Sequence, residues 1–215
     1  RRQRQMCIRD RNIPIGDDDK PLIIKVASIP TAKLQVYFID NEDYFKRKTV
    51  FNNKAGKFHK DNDERCLFFC KGVLETVIKL GWSPDIIHCN DWMSSLIPLL
   101  IKTSYSDRHI FENTKCIFSI YENSFKEKLD KKMIDKIVDE DIDKDMLSSL
   151  KSNDYSGLIK IASEYSDAII RPDKDLNKSL EESISSISPK NKVHKIPENE
   201  KSVESHYKLY NEILN

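Results

Sequence analysis

The chain has 215 residues, which is enough for one α/β domain with a buried core or for two very small domains. Its 36 Lys and Arg residues are balanced by 35 Asp and Glu residues, so the net charge is +1. A dedicated nucleic-acid-binding protein would need a basic excess, and no apolar run approaches the ~20 residues that span a bilayer. The sequence therefore predicts neither a nucleic acid nor a membrane as a partner.

The number and spacing of the cysteines and glycines exclude several further classes of protein. The number of cysteines is odd and no CxxC spacing occurs, so we expect neither a disulfide framework nor a closed zinc site, and we predict a reducing, cytoplasmic location. The five glycines lie far apart and form neither GxGxxG nor GxxxxGK[ST], the fingerprints of dinucleotide and P-loop sites. No metal and no cofactor is predicted. The cysteines are Cys7, Cys66, Cys70, Cys89 and Cys116.

The chain begins with a segment that has no usable hydrophobic period. Residues 1–20 change from basic to acidic and are predicted to be a disordered or non-native lead-in, so the folded domain is predicted over residues 21–215. Two short apolar runs follow at 22–29 and 34–39, and their closeness predicts a hairpin. The polar and aromatic stretch 40–60 is predicted to be a surface loop.

Helices and buried strands alternate beyond this loop. Apolar residues at spacings of three and four predict a helix over 63–80. The runs 84–92 and 115–121 predict buried strands. The apolar segment 93–102 between them predicts a helix, with Pro98 near its first turns.

The C-terminal part contains one long charged stretch and five further elements. Residues 126–151 are densely charged and are predicted to form a solvated, helical excursion. The remaining patterns predict a helix, a strand, a helix, a strand and a closing helix at 155–165, 167–171, 174–187, 193–196 and 202–214. Apolar strands that alternate with helices predict an α/β fold, Rossmann-like, with a mostly parallel sheet and helices on both faces.

Polar clusters directly follow two of the predicted strands. One is residues 88–92, His-Cys-Asn-Asp-Trp, and the other is residues 121–124, Tyr-Glu-Asn-Ser. Ligands of an open parallel sheet bind beyond the carboxyl ends of its strands. If the two strands are neighbours, the clusters share one crevice, which is the predicted site.

Each prominent side chain in these clusters has a functional and a structural interpretation. His88 is a candidate base or hydrogen-bond donor, or else a satisfied histidine at the end of a core strand. Asp91 is placed to bind a sugar hydroxyl, or else to cap the helix that follows. Trp92 is a candidate stacking platform for a sugar ring, or else a packing residue. Glu122 is a candidate general acid or base, or else a solvated loop residue.

The order and spacing of several motifs resemble the N-terminal domain of bacterial glycogen synthases and plant starch synthases. The family's pattern runs YLID, YF-x-R, DN-x-x-RF, W-x-PDIIH-x-HDW and FTIHN, and the resemblance covers most of residues 21–121. The stretch PDIIHxxDW is the most specific part, and a weaker match to EYAD lies at 162–167. The residues that carry the resemblance are 36–40 (VYFID), Tyr44, Phe45, Arg47, Asp61, Asn62, Arg65 and 82–92 (WSPDIIHCNDW).

The resemblance implies one half of a GT-B glycosyltransferase, in which two Rossmann-like domains face a cleft and no metal is needed. Such enzymes transfer glucose from ADP-glucose or UDP-glucose to an α-1,4-glucan acceptor, and their C-terminal domain holds most of the nucleotide. A partner chain that supplies a nucleotide-binding domain is therefore an implied partner. The implied catalytic residues are Asp91 and Tyr121, and the implied substrate-binding residues are His88, Asn90, Trp92 and Glu122.

The chain departs from the family pattern in the crevice and at both ends. The second histidine of HxHDW is Asn90, the histidine of FTIHN is Tyr121, and the asparagine after it is Glu122. The family's glycine loop and C-terminal domain have no counterpart, and the chain resembles the short, single-domain proteins of this type in Bacteroidetes. These differences keep two alternatives open. One is a non-catalytic glucan-binding or regulatory module, and the other is a Rossmann-like scaffold that binds another protein.

Overall fold

The computed structural model describes residues 6–122, 125–186, 192–197, 199 and 201–215. The strands are β1 Met6–Ile15, β2 Asp18–Ile29, β3 Leu34–Asp40, β4 Ile86–Asn90, β5 Lys115–Ser119, β6 Ala168–Pro172 and β7 Val193–Ile196. The helices are α1 Glu42–Phe45, α2 Asn62–Leu80, α3 Ile97–Lys102, α4 Met133–Ile137, α5 Tyr155–Tyr165, α6 Lys178–Ser185 and α7 Ser202–Leu214. Among the helices of the described residues, none combines the length and apolar character needed to cross a membrane.

Four strands form a parallel sheet in the order β4-β5-β6-β7. Its central strand β5 is buried on both faces, because Ile117 faces a cluster with α7 while Cys116 and Phe118 face the main core of α2, α3 and α5. A parallel strand without a solvated face needs helices on both sides. The predicted Rossmann-like, mostly parallel sheet with helices on both faces is therefore confirmed.

A second sheet of three antiparallel strands, in the order β1-β2-β3, packs on α2. The predicted hairpin is confirmed as β2 and β3, which pair from Ile23↔Asp40 to Ile29↔Leu34. The prediction of disorder over residues 1–20 is wrong from Met6 onward, where β1 pairs along β2 through a turn at Gly16. Interspersed charged residues hide the apolar pattern of β1, whose Ile13 and Ile15 are buried in the core.

The charged stretch 126–151 is neither continuously helical nor fully solvated, contrary to prediction. It contains the short helix α4 and enters a 3₁₀ helix at Ser148–Ser152. Aspartates break the helical pattern, since their carboxylates accept hydrogen bonds from backbone N–H groups two residues further on, as in Asx turns. The apolar residues of the stretch are buried in the main core: Leu129, Met133, Ile137, Ile142, Leu147 and Leu150.

The segment after β4 also differs from the single helix predicted over 93–102. The chain first forms a 3₁₀ turn at Trp92–Ser94 and then the short helix α3. Pro98 lies in the first turn of α3, where a missing N–H is tolerated. The proline thus starts the helix as predicted, but the helix is shorter.

Replacement of Gly157 by alanine is expected to destabilise the protein by about 2 kcal/mol. A Cβ at this position in α5 would lie 2.7 Å from the carbonyl oxygen of Ser149 and 2.7 Å from the hydroxyl of Ser152. Overpacking of about 1–3 kcal/mol outweighs the roughly 0.5–1 kcal/mol by which alanine favours a helix. Urea unfolding measures the change, with the exposed Lys160→Ala of the same helix as control. Unchanged or increased stability of Gly157→Ala would contradict this packing.

Candidate functional site

The carboxyl ends of β4 and β5 bring the two predicted clusters together. The strands are parallel neighbours, paired from Ile86↔Lys115 to Asn90↔Ser119. Just beyond them the Tyr121 hydroxyl donates a hydrogen bond to Oδ1 of Asn90 over 3.0 Å. The clusters therefore share one crevice, while residues 123–124 of the second cluster lie outside the described residues.

Asp91 adopts a backbone conformation that is costly for any residue except glycine. Its φ is 61° and its ψ is 177°, a region that glycine occupies almost exclusively. The N–H of Asp91 donates to the carbonyl of Ser119 over 3.1 Å, and its Oδ1 accepts from the N–H of Trp92 over 2.8 Å. The carboxylate of Asp91 thus caps the turn that follows, and the hydrogen bond from its N–H to Ser119 fixes its backbone against β5.

Tyr155, which sequence analysis missed, joins the two clusters from α5. Its hydroxyl lies 2.6 Å from the carbonyl oxygen of Tyr121 and 3.2 Å from Oδ1 of Asp91, so its single proton is shared between these two acceptors. Burial, followed by the charge of Asp91, raises the pKa of Tyr155, so the phenol keeps its proton. No motif marks this tyrosine, because its role depends on how α5 docks against the sheet.

His88 is a bonded histidine inside the fold. Its Nδ1 lies 2.6 Å from the Tyr210 hydroxyl of α7, and its Nε2 lies 2.6 Å from the Ser119 hydroxyl. Burial, followed by the nearby His206, lowers the pKa of His88 to about 4. Both ring nitrogens are already occupied, so this geometry agrees with the structural interpretation and not with a role as base.

Trp92 packs inside the fold, which agrees with the structural one of its two interpretations. Only 1% of its surface is exposed, and its ring lies 4.9 Å from Phe51, 5.1 Å from Phe125 and 6.3 Å from Phe58, between centroids. Phe51 and Phe58 come from the stretch 40–60. That stretch is thus more than a surface loop, because its aromatic side chains cover Trp92.

An ion pair between a buried arginine and a partly exposed glutamate at the carboxyl end of β6 was also missed. Arg171, which is 6% exposed, donates to both carboxylate oxygens of Glu181 in α6 over 2.7 and 2.6 Å. The hydrogen bonds from Arg171 and then from the N–H of Leu176 lower the pKa of Glu181 to about 2. The sequence did contain a signal for this pair. Arg171 is a single charged residue at the carboxyl end of an apolar strand, and the predicted site lies at such strand ends.

Two pockets flank the crevice. The larger, of about 380 Å³, lies between residues 125–128 and the first turns of α5 and α6, and is lined by Tyr155. The smaller, of about 80 Å³, is lined by Tyr121, Arg171 and His206. Only the larger of these two pockets has a volume within the ~300–1,000 Å³ typical of small-molecule pockets.

Glu122 is exposed to solvent beside Tyr121.

Replacement of Asp91 by glycine is expected to give a protein more stable than replacement by alanine, by about 1–3 kcal/mol. Both variants lose the carboxylate that accepts from Trp92 and Tyr155. Only glycine enters the observed backbone region without strain, so the difference between the variants isolates the backbone contribution. Urea unfolding of the two proteins measures it, and equal stabilities would show that the backbone at Asp91 is not strained.

Comparison with known proteins places this crevice in a family. A family model described as the starch synthase catalytic domain matches residues 2–181. The glycogen synthase of Chlorobium luteolum is 44% identical over 121 residues, which are 56% of this chain and 24% of that protein. The glycogen synthase of Chlorobaculum parvum is 38% identical over 130 residues, which are 58% of this chain and 27% of that protein. The chain therefore spans about a quarter of the length of these relatives.

A solved structure shares the fold. The catalytic domain of starch synthase IV from Arabidopsis thaliana, bound to ADP and acarbose, matches with a TM-score of 0.68 and 16% sequence identity. The match covers 91% of this chain and 41% of that chain, so the predicted architecture of one part of a GT-B fold is confirmed. The family model spans well over half of the chain and includes its crevice. The chain therefore belongs to the starch synthase catalytic domain family.

Proposed function

We propose that the chain is part of a glucosyltransferase of the glycogen or starch synthase type, incomplete without a second domain or a partner chain. The reaction is transfer of glucose from ADP-glucose or UDP-glucose to an α-1,4-glucan. The observation that carries the proposal is the strained backbone of Asp91 at the carboxyl edge of the sheet, within the matched segment. Strained residues persist where their surroundings fix them, and they cluster at active sites.

The proposed site is the side of a cleft that binds the glucan acceptor. The side that binds the nucleotide belongs to the proposed second domain or partner chain. Asp91 and Tyr121 are the proposed catalytic residues, with Asp91 accepting a hydrogen bond from an acceptor hydroxyl. Asn90 and Glu122, both exposed beside them, are proposed to contact the sugar. The pocket of about 380 Å³ supports this arrangement, because it is lined by Tyr155, whose hydroxyl also contacts the carboxylate of Asp91.

The half-buried His88 and the buried Trp92 take part in the proposal as positioning residues. His88 is bonded to Ser119 and Tyr210, and Trp92 is enclosed by aromatic rings. We propose that they fix the orientation of the carboxyl end of β4, which Asp91 directly follows. The proposed location is the cytoplasm, which the buried free thiols of four cysteines support: Cys66, Cys70, Cys89 and Cys116.

The test is transfer of radiolabelled glucose from each nucleotide sugar to maltoheptaose. The chain is assayed alone and with candidate chains that carry a nucleotide-binding domain. Asp91→Asn keeps a capping oxygen and is expected to lower transfer at least about 100-fold, as loss of an oriented polar group in an active site does. Lys160→Ala, at an exposed position of α5, is the control. No transfer in any combination would overturn the proposal.

The second candidate is a non-catalytic glucan-binding or regulatory module. The hydrogen bond between Tyr121 and Asn90 favours it, because these side chains stand where the family pattern has histidines and they bond each other. Co-sedimentation with glycogen, without turnover in the transfer assay, would support this candidate. Failure to co-sediment would count against it.

A further inference from the structure

We propose that two adjacent pockets beside the crevice form one groove that binds an extended α-1,4-glucan chain, with sugar units on both sides of Phe125. The first, the Tyr155 pocket, has a volume of about 380 Å³ and is lined by Tyr155. The second, the Phe58 pocket, has a volume of about 320 Å³ and is lined by Phe58 and Trp92. Phe125 and Lys126 line both pockets, so the pockets adjoin at these two residues. The inference rests on the proposed function for the identity of the ligand.

Both pockets border residues that contact or follow Asp91. The hydroxyl of Tyr155, which lines the first pocket, lies 3.2 Å from Oδ1 of Asp91. Trp92, which lines the second pocket, directly follows Asp91 in the chain. Each pocket has a volume within the ~300–1,000 Å³ typical of small-molecule sites. An acceptor chain whose end is held at Asp91 therefore passes these pockets with its next sugar units.

Aromatic side chains line both pockets and meet at Phe125. The ring of Phe125 stacks on that of Phe58, with centroids 4.7 Å apart and an interplanar angle of 29°. On its other side it meets the ring of Tyr155 edge to face, with centroids 5.6 Å apart. Phe58 and Phe125 are both partly exposed. A pyranose ring has an apolar C–H face, which gains free energy by covering aromatic surface of this kind.

Each pocket also offers a side-chain amide to the hydroxyl groups of a sugar. Asn177, in the Tyr155 pocket, uses its Oδ1 to cap α6, accepting from the N–H of Leu180 over 3.1 Å. Its amide nitrogen forms no hydrogen bond within the part of the chain that the structure describes. The exposed Asn52, in the Phe58 pocket, likewise has a side-chain amide without a partner there. Two amide donors thus lie on opposite sides of Phe125.

The charges that line the two pockets cancel. Lys128 forms an ion pair with Asp154 over 2.7 Å, and the positive charge of Lys126 is matched by the negative charge of Glu127. The exposed lysines of the neighbouring turn, within residues 53–57, line neither pocket. A lining without net charge favours a neutral ligand over an anion, because recognition of an anion calls for complementary positive charge.

The helix N-termini at the Tyr155 pocket also disfavour a phosphate. A phosphate binds a helix N-terminus through its free backbone N–H groups. At α5 the carboxylate of Asp154 already accepts from the N–H of Gly157 over 3.0 Å, and at α6 Asn177 serves as the cap. The groove therefore suits the neutral glucan acceptor and not the nucleotide sugar.

The test is isothermal titration calorimetry of the whole chain with maltose and maltoheptaose. We expect maltoheptaose to bind at least about tenfold more tightly than maltose, because only the longer chain occupies both pockets at once. Phe125→Leu keeps an apolar side chain but removes the flat ring, and it is expected to reduce this advantage of the longer chain to less than about threefold.

One variant in each pocket tests the polar contacts. Asn177→Asp keeps the oxygen that caps α6 but loses the amide donor, and Asn52→Ala removes the other donor. Each is expected to weaken maltoheptaose binding about two- to tenfold, as loss of one neutral hydrogen bond does. Asn211→Ala is the matched control, because Asn211 is an exposed asparagine of α7 that lines neither pocket. Circular dichroism and urea unfolding verify that each variant is folded.

The outcomes separate the groove from the transfer reaction. Equal affinity for maltose and maltoheptaose, no binding of either, or unchanged binding in Phe125→Leu and both asparagine variants would overturn the groove, even if glucose transfer were observed. Length-dependent binding that these variants weaken would support the groove even if no transfer occurred. ADP-glucose is the final titrant, and binding of ADP-glucose that the same variants weaken would overturn the assignment to a glucan.

Discussion

Lys136→Met is expected to lower the free energy of unfolding at pH 7 by about 3 kcal/mol. The Nζ of Lys136 lies 2.7 Å from Oδ2 of Asp63 and 2.8 Å from Oε1 of Glu64. These two ion pairs connect the charged stretch 126–151 to α2. The side chain of Asp63 is completely buried, and among the described residues its Oδ1 has no hydrogen-bond partner. Removal of the lysine leaves this buried carboxylate without its cation, a change that costs about 3–5 kcal/mol in proteins.

The cost of Lys136→Met is also expected to depend on pH. Burial raises the pKa of Asp63, and the hydrogen bond from Lys136 opposes this rise. Without Lys136 the pKa of Asp63 rises further above its unfolded value. A carboxyl group with a raised folded pKa destabilises the fold when it is charged, so the cost is greatest at neutral pH and shrinks as pH falls and Asp63 is protonated.

Urea unfolding of wild type and Lys136→Met at pH 7 and at acidic pH measures both effects. Lys144→Met is the matched control, because Lys144 forms an exposed ion pair with Asp135, and its replacement should cost far less than that of Lys136. A loss in Lys136→Met as small as that of the control would contradict the role of the buried pair. A loss that does not change with pH would show that Asp63 is not the group responsible.

Acidification is expected to destabilise wild type more than His88→Gln, by a difference on the order of 3 kcal/mol when pH falls from neutral to about 4. Burial, with His206 as the second cause, lowers the pKa of His88 from 6.5 to about 4. A histidine with a lowered folded pKa contributes stability that is fully present above the unfolded pKa. That stability is lost as pH falls from about 6.5 to about 4, because the unfolded chain takes up the proton first.

The measurement is the free energy of unfolding of both proteins across this pH range. Glutamine can keep a hydrogen bond to Ser119 or Tyr210 but has no charge to gain. His109→Gln is the control for loss of an imidazole, since the side chain of His109 is 94% exposed. If wild type and His88→Gln lose the same stability on acidification, His88 is not held neutral between β4 and α7.

The elements with a regular apolar period were predicted well because their signals are local. α5 was predicted at both ends, since its spacing and the capping Asp154, which accepts from the N–H of Gly157 over 3.0 Å, lie within the segment itself. β1 and the stretch 126–151 were predicted wrongly for one shared reason. Their apolar residues are separated by charges at irregular intervals, and only contacts with distant elements bury them.

The crevice was located from the sequence, but the roles of its residues were not. Polar clusters after two apolar strands, together with the rule for the carboxyl ends of parallel sheets, were sufficient to bring Asn90 and Tyr121 together. The same pattern could not distinguish a side chain that faces the cleft from one that faces the core. His88 and Trp92 belong to the second kind.

Apart from β1 and the stretch 126–151, apolar spacing along the chain is sufficient to predict the order of elements, the parallel sheet and the edge that carries the polar residues, since the signal of each element lies within a few positions. The state of each polar group depends instead on partners far away in the chain. Tyr210, which bonds His88, is 122 residues distant, and Tyr155, which bonds Asp91, is 64 residues distant. Such contacts exist only after α5 and α7 dock on the sheet, and docking geometry leaves no periodic signal in the sequence.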